Sequence, residues 1–475
     1  MHHWMNSFLL FITVFGSFGL PPGAVVRAEG PDEHPQKTNT EPPPENSCLY
    51  MLQSRPVVIF GGYSSARYLA PRLRSMGYRV GHVHGTGKPP SASLAKTFHP
   101  EDYDFDIRHT GDSEQTLAEL RALKPLAIIP GAESDVLFAD YFSDRLKDEF
   151  GLLSNGVQPA RRDKYRQGNH LKNAGIPVAK QLKSRNLNEV LKWVRRKKLL
   201  KQYPYKVVVK PLQSSGSDGV SVCNNEKELR EAFKKIFMKP NHHGVMNTDV
   251  LVQEFLDGPE YVVNTVSDLG RHIVTDMWLY EKKEIVGGGT IYQHDRLLPF
   301  QGDVQAQLVP YTFRVLDALG IKTGWGHAEI KMTSKGPRLI EIGARMMGSG
   351  QPILVEDALS EGQIGLGIQA YMHRGSLASH AQGYELKNQA VLISLTSDGE
   401  GTRLSLAHQD ALTKLPGYKR HSFFMKEGDT LPRTVDMDTI IGQVELVHPN
   451  PVVLEASLKA IHDMERDGLF FVPIH

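Results

Sequence analysis

Val57-Val58-Ile59-Phe60, followed at once by Gly61-Gly62, constrains this chain more than any other stretch. A run of apolar, mostly β-branched residues has no polar face, so it reads as a strand buried on both sides, and the glycine pair turns it. Ser64 to Met76 fits a helix with Ala66, Leu69, Leu73 and Met76 on one face, and Tyr78 to Val83 reads as the next strand. Two buried strands joined through a helix belong to a parallel sheet. Leu117 to Leu123 and Leu126 to Ile129 repeat the unit, and the second strand runs out into Pro130-Gly131-Ala132-Glu133. A dinucleotide site would need G-x-G-x-x-G after the first strand. The chain has Gly61-Gly62-Tyr63-Ser64-Ser65-Ala66, which disfavours a nicotinamide enzyme.

Composition narrows the function classes. The chain has 475 residues, 23% charged and 40% hydrophobic, so it is a globular protein of several domains. Lys and Arg number 55 against 53 Asp and Glu, a formal net charge of +2. No nucleic-acid footprint follows from that balance, and the basic run Arg195 to Lys198 reads as the solvated face of a helix spanning Leu187 to Leu200. Two cysteines, Cys48 and Cys223, cannot build a disulfide framework or a cysteine metal site. Phe8 to Leu20 is apolar but too short to span a bilayer, so no stable membrane anchor is expected. It could be a signal-peptide core with an imperfect cleavage site at Val26-Arg27-Ala28, but Met1 to Asn6 lack Lys and Arg. The proline-rich stretch that follows has linker composition. Residues 1–54 are expected to be disordered and dispensable.

From Tyr205 the pattern turns to strands: Lys206 to Lys210, Gly219 to Cys223, Val250 to Glu254, Glu260 to Asp268 and Arg271 to Tyr280, with helices at Arg161 to Ala174, Glu226 to Phe237 and Val304 to Leu319. Gly326 to Met332 and Pro337 to Ile342 form a hairpin. After about Gln382 come short strands, Ala390 to Leu395 and Gly442 to Val447, and a closing helix from Pro451 to Glu465.

Three elements carry chemistry. Lys210 ends a strand, and Gln213-Ser214-Ser215-Gly216-Ser217-Asp218-Gly219-Val220 follows. Small residues let backbone N–H groups wrap an anion, and the lysine suits phosphate oxygens, although a plain hairpin would look the same. Glu329 and Glu341 fall on the two strands of the later hairpin, where paired carboxylates can hold Mg²⁺ with substrate phosphates. Arg345 follows in a glycine-rich loop. Val252 to Glu260 links two strands with an apolar–acidic pattern.

In that order, these elements resemble an ATP-grasp domain over about residues 160–350. Residues 56–350 resemble an ATP-dependent carboxylate–amine ligase, most of all the L-amino acid ligases of the bacilysin-synthetase, dipeptide-forming type. The resemblance implies an α/β ATP-grasp fold with an N-terminal parallel-sheet domain (55–155), an ATP-grasp domain (156–380) and a C-terminal α+β subdomain (381–475). It implies that Lys164 and Lys210 hold the nucleotide phosphates under a lid formed by Ser214, Ser215, Gly216, Ser217 and Gly219. Glu254 and Leu256 would flank the adenine, Glu260 would bind the ribose, and Glu329 and Glu341 would hold Mg²⁺, or Mn²⁺. Arg345 with His294 would stabilise the oxyanion, and Glu133 would meet a substrate ammonium or orient His294. L-Amino acids and ATP are the implied partners, a homodimer is compatible with the type, and the use of ATP points to the cytoplasm. A ligase for another carboxylate and amine, or an inactive nucleotide-binding protein, are the alternatives. One departure stands out: many ATP-grasp enzymes have Glu-x-Asn where this chain has Glu341-Ile342-Gly343.

Overall fold

Strands β1 (Val57–Phe60), β2 (Val80–His84), β3 (Phe105–Arg108) and β4 (Ala127–Pro130) form a parallel sheet in the order β3-β2-β1-β4. All four residues of β1 are buried, as an unbroken apolar run requires. The computed structural model describes residues 54–85, 92–197, 199, 206–285, 289–399 and 401–473. The expectations for residues 1–53 lie outside it. Helices α1 (Leu69–Ser75), α2 (Ser113–Leu123) and α3 (Val136–Phe150) cover the sheet. Met76 is not on the buried face of α1. Residues Ser64–Tyr68 form a 3₁₀ turn, which advances the chain at a tighter period, and Met76 becomes a helix cap with 43% of its surface exposed.

A second, antiparallel sheet follows helix α4 (Lys164–Asn173). Its strands are β5 (Gln181–Ser184), β6 (Val207–Lys210), β7 (Ser221–Cys223) and β8 (Val250–Glu254), in the order β5-β8-β6-β7. Alternation sorts its faces. Val207, Val209, Val250 and Val252 pack on helices α5 (Leu187–Arg196) and α6 (Glu226–Ile236). Val208, Lys210 and Gln253 face the other way, into a cleft.

The cleft's far wall belongs to an eight-stranded sheet, ordered β13-β12-β9-β10-β11-β14-β17-β16. It contains β9 (Glu260–Asp268), β10 (Arg271–Glu284), β11 (Thr290–Leu297), β12 (Gly324–Thr333), β13 (Gly336–Gly343), β14 (Gln389–Leu395), β16 (Tyr418–Phe423) and β17 (Gly442–His448); β15 (Thr402–Leu404) pairs separately with β18 (Phe471–Pro473). β9 and β10 are joined through Leu269 and Gly270, both at positive φ (52° and 87°), as a two-residue hairpin turn demands. Helix α7 (Gln305–Leu319) packs on one face of the sheet. Helices α8 (Gln351–Leu359), α9 (Gln363–Met372) and α10 (Pro451–Arg466) complete the layers. β11 pairs directly with β14, so the strands after residue 381 extend the central sheet rather than form a detached one. Among the described residues, no helix is long and apolar enough to cross a membrane.

One buried arginine ties these layers. Arg161 is 2% exposed and donates to Asp140 Oδ2 of α3 at 2.7 Å, to Leu319 O and Gly320 O at the end of α7, and to Asn155 O and Gly156 O. Burial pushes the Asp140 carboxyl up to about 6, against the pull of Arg161. Removing one partner of such a pair leaves a charge and several carbonyls unsatisfied, which costs about 3–5 kcal/mol. Arg161→Met is therefore expected to destabilise the protein by about that amount in denaturant unfolding, whereas a change near zero would mean the network contributes nothing net.

Candidate active site

The cleft between the four- and eight-stranded sheets has a volume of about 490 Å³. It is lined by Lys164, Lys210, Ser214, Ser215, Gly216, Ser217, Glu254, Leu256, Glu260, Glu329 and Glu341, a set drawn from sequence positions nearly 180 residues apart. Gly219 is not among the lining residues. It sits at φ +67° and a Cβ there would lie 2.9 Å from Pro211 Cγ, so its part is to let the loop turn back tightly.

Glu329 and Glu341 are direct cross-strand partners on β12 and β13. Like charges placed opposite one another are destabilising by themselves, so cations must offset them. Lys164, the first residue of α4, supplies one: its Nζ lies 2.8 Å from Glu341 Oε2 and also donates to Ser214 O of the loop. His327 Nε2 stands 3.5 Å from Glu329 Oε1. Burial raises the Glu329 carboxyl, but the His327 hydrogen bond and the charges of Lys282, His327 and Lys164 outweigh it and hold it down at about 2. Two carboxylates facing one cleft are a hard-oxygen donor pair and fit Mg²⁺.

Glu260 is buried on the same wall, in an ion pair with Lys282 and with Lys331 Nζ at 3.5 Å. Sequence reading ended β10 at Tyr280 and so missed Lys282, which extends that strand's inward face and lies 4.0 Å from the centre of the Tyr292 ring. The Glu254 carboxylate is turned away to Lys180, accepting from its backbone N–H at 2.8 Å, so any contact of this residue with a ligand falls to its main chain and neighbours. Ser214 gives its hydroxyl to Asp218 Oδ2 at 2.6 Å, inside the loop.

Beside the cleft is a second cluster. Glu133, just past the carboxyl end of β4, accepts from Arg345 Nε at 2.7 Å and from Arg162 Nη1 at 3.3 Å. Burial raises its carboxyl, but Arg345, Arg162 and Lys164 pull it down to about 2. Arg345 thus pairs with Glu133 and not with Glu341 four residues earlier. This geometry accounts for Gly343. A Cβ at that position would lie 2.7 Å from Glu133 Oε2 and 3.4 Å from Arg345 Nε, so the asparagine of the commoner pattern would collide with the ion pair. Arg162 had no sequence signal beyond its place beside Asp163-Lys164.

His294 is not brought to this cluster. Its Nε2 faces Glu281 at 3.1 Å and its Nδ1 faces His462 of α10 at 3.4 Å. Glu133 therefore does not orient it, and Arg345 does not act beside it. Strand alternation sends Asp295 instead toward the cleft side, where it is buried, accepts from Gln351 Nε2 at 2.8 Å, and is pushed well above the usual carboxylate range by burial. His82, His84 and Asp106 are also close enough together to suggest a metal centre. However, Gly62 N–H already donates to His82 Nε2 at 2.9 Å, so the ring's proton is on Nδ1 and goes to Asp106 Oδ1 at 2.7 Å. A cation there would require the ring to lose both protons, and the cluster is a hydrogen-bonded one.

Lys210 is 4% exposed. Burial pushes its ammonium down to about 8; Glu341 opposes this, Lys164 adds to it, and Glu329 and Glu260 oppose it. Below pH 8 the folded protein keeps this charge, and above it the charge is shed although an unfolded lysine would retain it to about 10.4. A phosphate that binds only the charged form should lose affinity by about tenfold for each pH unit above 8. ADP affinity is therefore expected to fall between pH 7 and 9, and Lys210→Arg should remove most of that fall. Titrations of both proteins across this range check it; a flat wild-type profile would separate Lys210 from nucleotide binding.

Comparison with known proteins follows the same lines. Residues 203–352 match the ATP-grasp domain family. Dapdiamide A synthase of Enterobacter agglomerans is 31% identical over 415 residues, covering 86% of this chain and 96% of that protein. The solved L-amino acid ligase from Bacillus licheniformis superposes with a TM-score of 0.67 at 17% identity, over 86% of this chain and 98% of its own. N5-carboxyaminoimidazole synthetase from Staphylococcus aureus, solved with ADP, superposes with a TM-score of 0.60 at 17% identity, over 86% and 98%. At these identities the structural likeness is one of fold.

Proposed function

Since this chain belongs to the ATP-grasp amino-acid ligases, ATP-dependent enzymes that join a carboxylate to an amine, we propose that it forms a dipeptide bond between two L-amino acids through an acyl phosphate, releasing ADP and phosphate. The observation that carries this reading is the single cleft in which Lys164, Lys210, the glycine-serine loop and the opposed Glu329 and Glu341 meet.

The chemistry needs two steps. A carboxylate oxygen attacks the γ-phosphorus of ATP, and the bond to the ADP oxygen breaks. The amine then attacks the acyl carbon, and phosphate leaves. No covalent enzyme intermediate is required, so catalysis rests on positioning and on neutralising charge. Lys210, on the four-stranded sheet, and Lys164, which reaches from the loop after it to Glu341, would hold the phosphates between them. Glu329 and Glu341 would hold Mg²⁺, which when bound spreads the charge of the transferring phosphoryl group. The loop 213–219 covers the phosphates and keeps water from the acyl phosphate. Arg345 uses Nε on Glu133 and Nη1 on Met346 O, at 2.7 Å each, which fixes the guanidinium plane beside the cleft. Held so, it can donate to the oxyanion that forms on the acyl carbon.

Incubation with ATP and the twenty amino acids in pairs, scored for ADP and product mass, tests the reading; ADP release that no pair stimulates would reject it. Glu329→Gln and Glu341→Gln each keep the shape but lose a charge, and each is expected to abolish most ADP formation with the fold intact. Arg345→Lys keeps a charge but not the planar fork. It should leave ATP affinity within a few-fold and lower amide formation by about 10²–10³. If Arg345 serves only to pair with Glu133, the lysine variant will turn over normally.

A further inference from the structure

The mechanism above leaves one proton without a destination. An amino acid presents an ammonium at neutral pH, and its nitrogen has no lone pair for attack until a proton leaves. The groups already described are poor acceptors: Lys164, Lys210, Arg162 and Arg345 are cations, and Glu133 is clamped between two arginines.

A histidine pair outside the motifs read from sequence stands against the lid loop that lines the cleft. His242 and His243 lie in the turn after Asn241, which donates through Nδ2 to Gln213 O at the base of the lid loop. Ser215 Oγ of that loop lies 3.0 Å from His243 Nε2 and 3.2 Å from His242 Nε2. The two Nε2 atoms are 3.0 Å apart. On its other side, His242 Nδ1 meets Asp438 Oδ2 at 3.1 Å. Asp438 belongs to the segment after β16, whose Met437 N–H also donates to Gly216 O at 3.2 Å.

These contacts set the tautomers. A carboxylate only accepts, so His242 carries its proton on Nδ1. With that proton on Nδ1, Nε2 of His242 is the ring's acceptor, and the complementary arrangement has His243 donating from its own Nε2. That leaves the lone pair of His243 on Nδ1, a buried atom with no hydrogen-bond partner among the described residues. Burial first, and then the charges of Arg162 and Lys164, hold the ring down at about 3, with Glu133 opposing. The ring is therefore neutral in the free enzyme. The negative charge of ADP and the acyl phosphate beside Lys164 would offset those cations and make the ring a better base.

We propose that His243 Nδ1 accepts the proton of the incoming amine, with Asp438 and His242 as positioning residues that hold its tautomer. The proposal rests on the ligase reading. One ammonium proton passes to Nδ1 and frees the nitrogen's lone pair; the nitrogen then bonds to the acyl carbon, the bond from that carbon to the phosphate oxygen breaks, the second proton shed by the nitrogen leaves with phosphate, and the proton on Nδ1 goes to water.

Hydroxylamine separates this role from a merely structural one, because it is already uncharged at neutral pH and needs no base to free its lone pair. With the amino-acid pair selected by ADP release, His243→Gln is expected to lose amide formation by about 10²-fold or more. The same variant should keep acyl-hydroxamate formation within a few-fold when hydroxylamine replaces the second amino acid, and raising the pH should restore part of the amide rate. Parallel loss with both nucleophiles would make His243 a lid residue and overturn the proposal, as would an unchanged amide rate. Should the glutamine variant not fold, His243→Asn is read in the same way. Wild-type protein that forms neither product would reject the ligase reading itself, which the variant data alone cannot do.

Discussion

Lys164, Lys210, Lys282 and Lys331 share one cleft with Glu260, Glu329 and Glu341, and their mutual neutralisation is what the rest of the site depends on. Lys164 balances Glu341, Lys282 and Lys331 balance Glu260, and Lys210 is buried among them on the opposite wall. None of these charges could be buried alone, since an isolated ion taken out of water costs several kcal/mol. Held as a set, they form a preorganised field of both signs. Such a field suits a reaction whose substrates bring phosphate and carboxylate charge together and whose transition states move it.

That field must be assembled from two lobes. The four-stranded sheet brings Lys210 and the glycine-serine loop, and the eight-stranded sheet brings the glutamates. Lys164 spans the gap, reaching Glu341 on one side and Ser214 O on the other. The link to the first, parallel sheet runs through Glu133, gripped by Arg345 and Arg162. Gly343 makes that grip fit, because no larger side chain has room beside Glu133. What reads in the sequence as a missing metal ligand is in the structure a space that the ion pair fills.

The segment after residue 381 takes part in the same scheme. Its strands β14, β17 and β16 continue the large sheet, and its Met437 and Asp438 touch the lid loop and the adjoining histidine turn. The loop is thus held from outside the two sheets that form the cleft, by a third part of the chain.

Local pattern alone determined a good deal. The apolar run Val57–Phe60, the alternation through β6 and β8, and the hairpin of Glu329 and Glu341 are all set by neighbours in sequence, because strand burial and side-chain facing follow a period of two. Lys210, the glycine-serine loop and both glutamates stood out from that pattern, whereas Lys164, the first residue of a helix, was named only through the family resemblance. What sequence could not decide were pairings that depend on which surface meets which. Arg345 was open to Glu341 four residues away and chose Glu133, 212 residues away. His294 was expected among the site residues, and its strand's facing sent it to His462 instead. His242 and His243 carried no motif, and Asp438 lies 196 residues beyond His242. Ion pairs and hydrogen bonds of this kind have no sequence period, because they form wherever packed layers bring complementary groups within about 3 Å, and only the tertiary fold determines that.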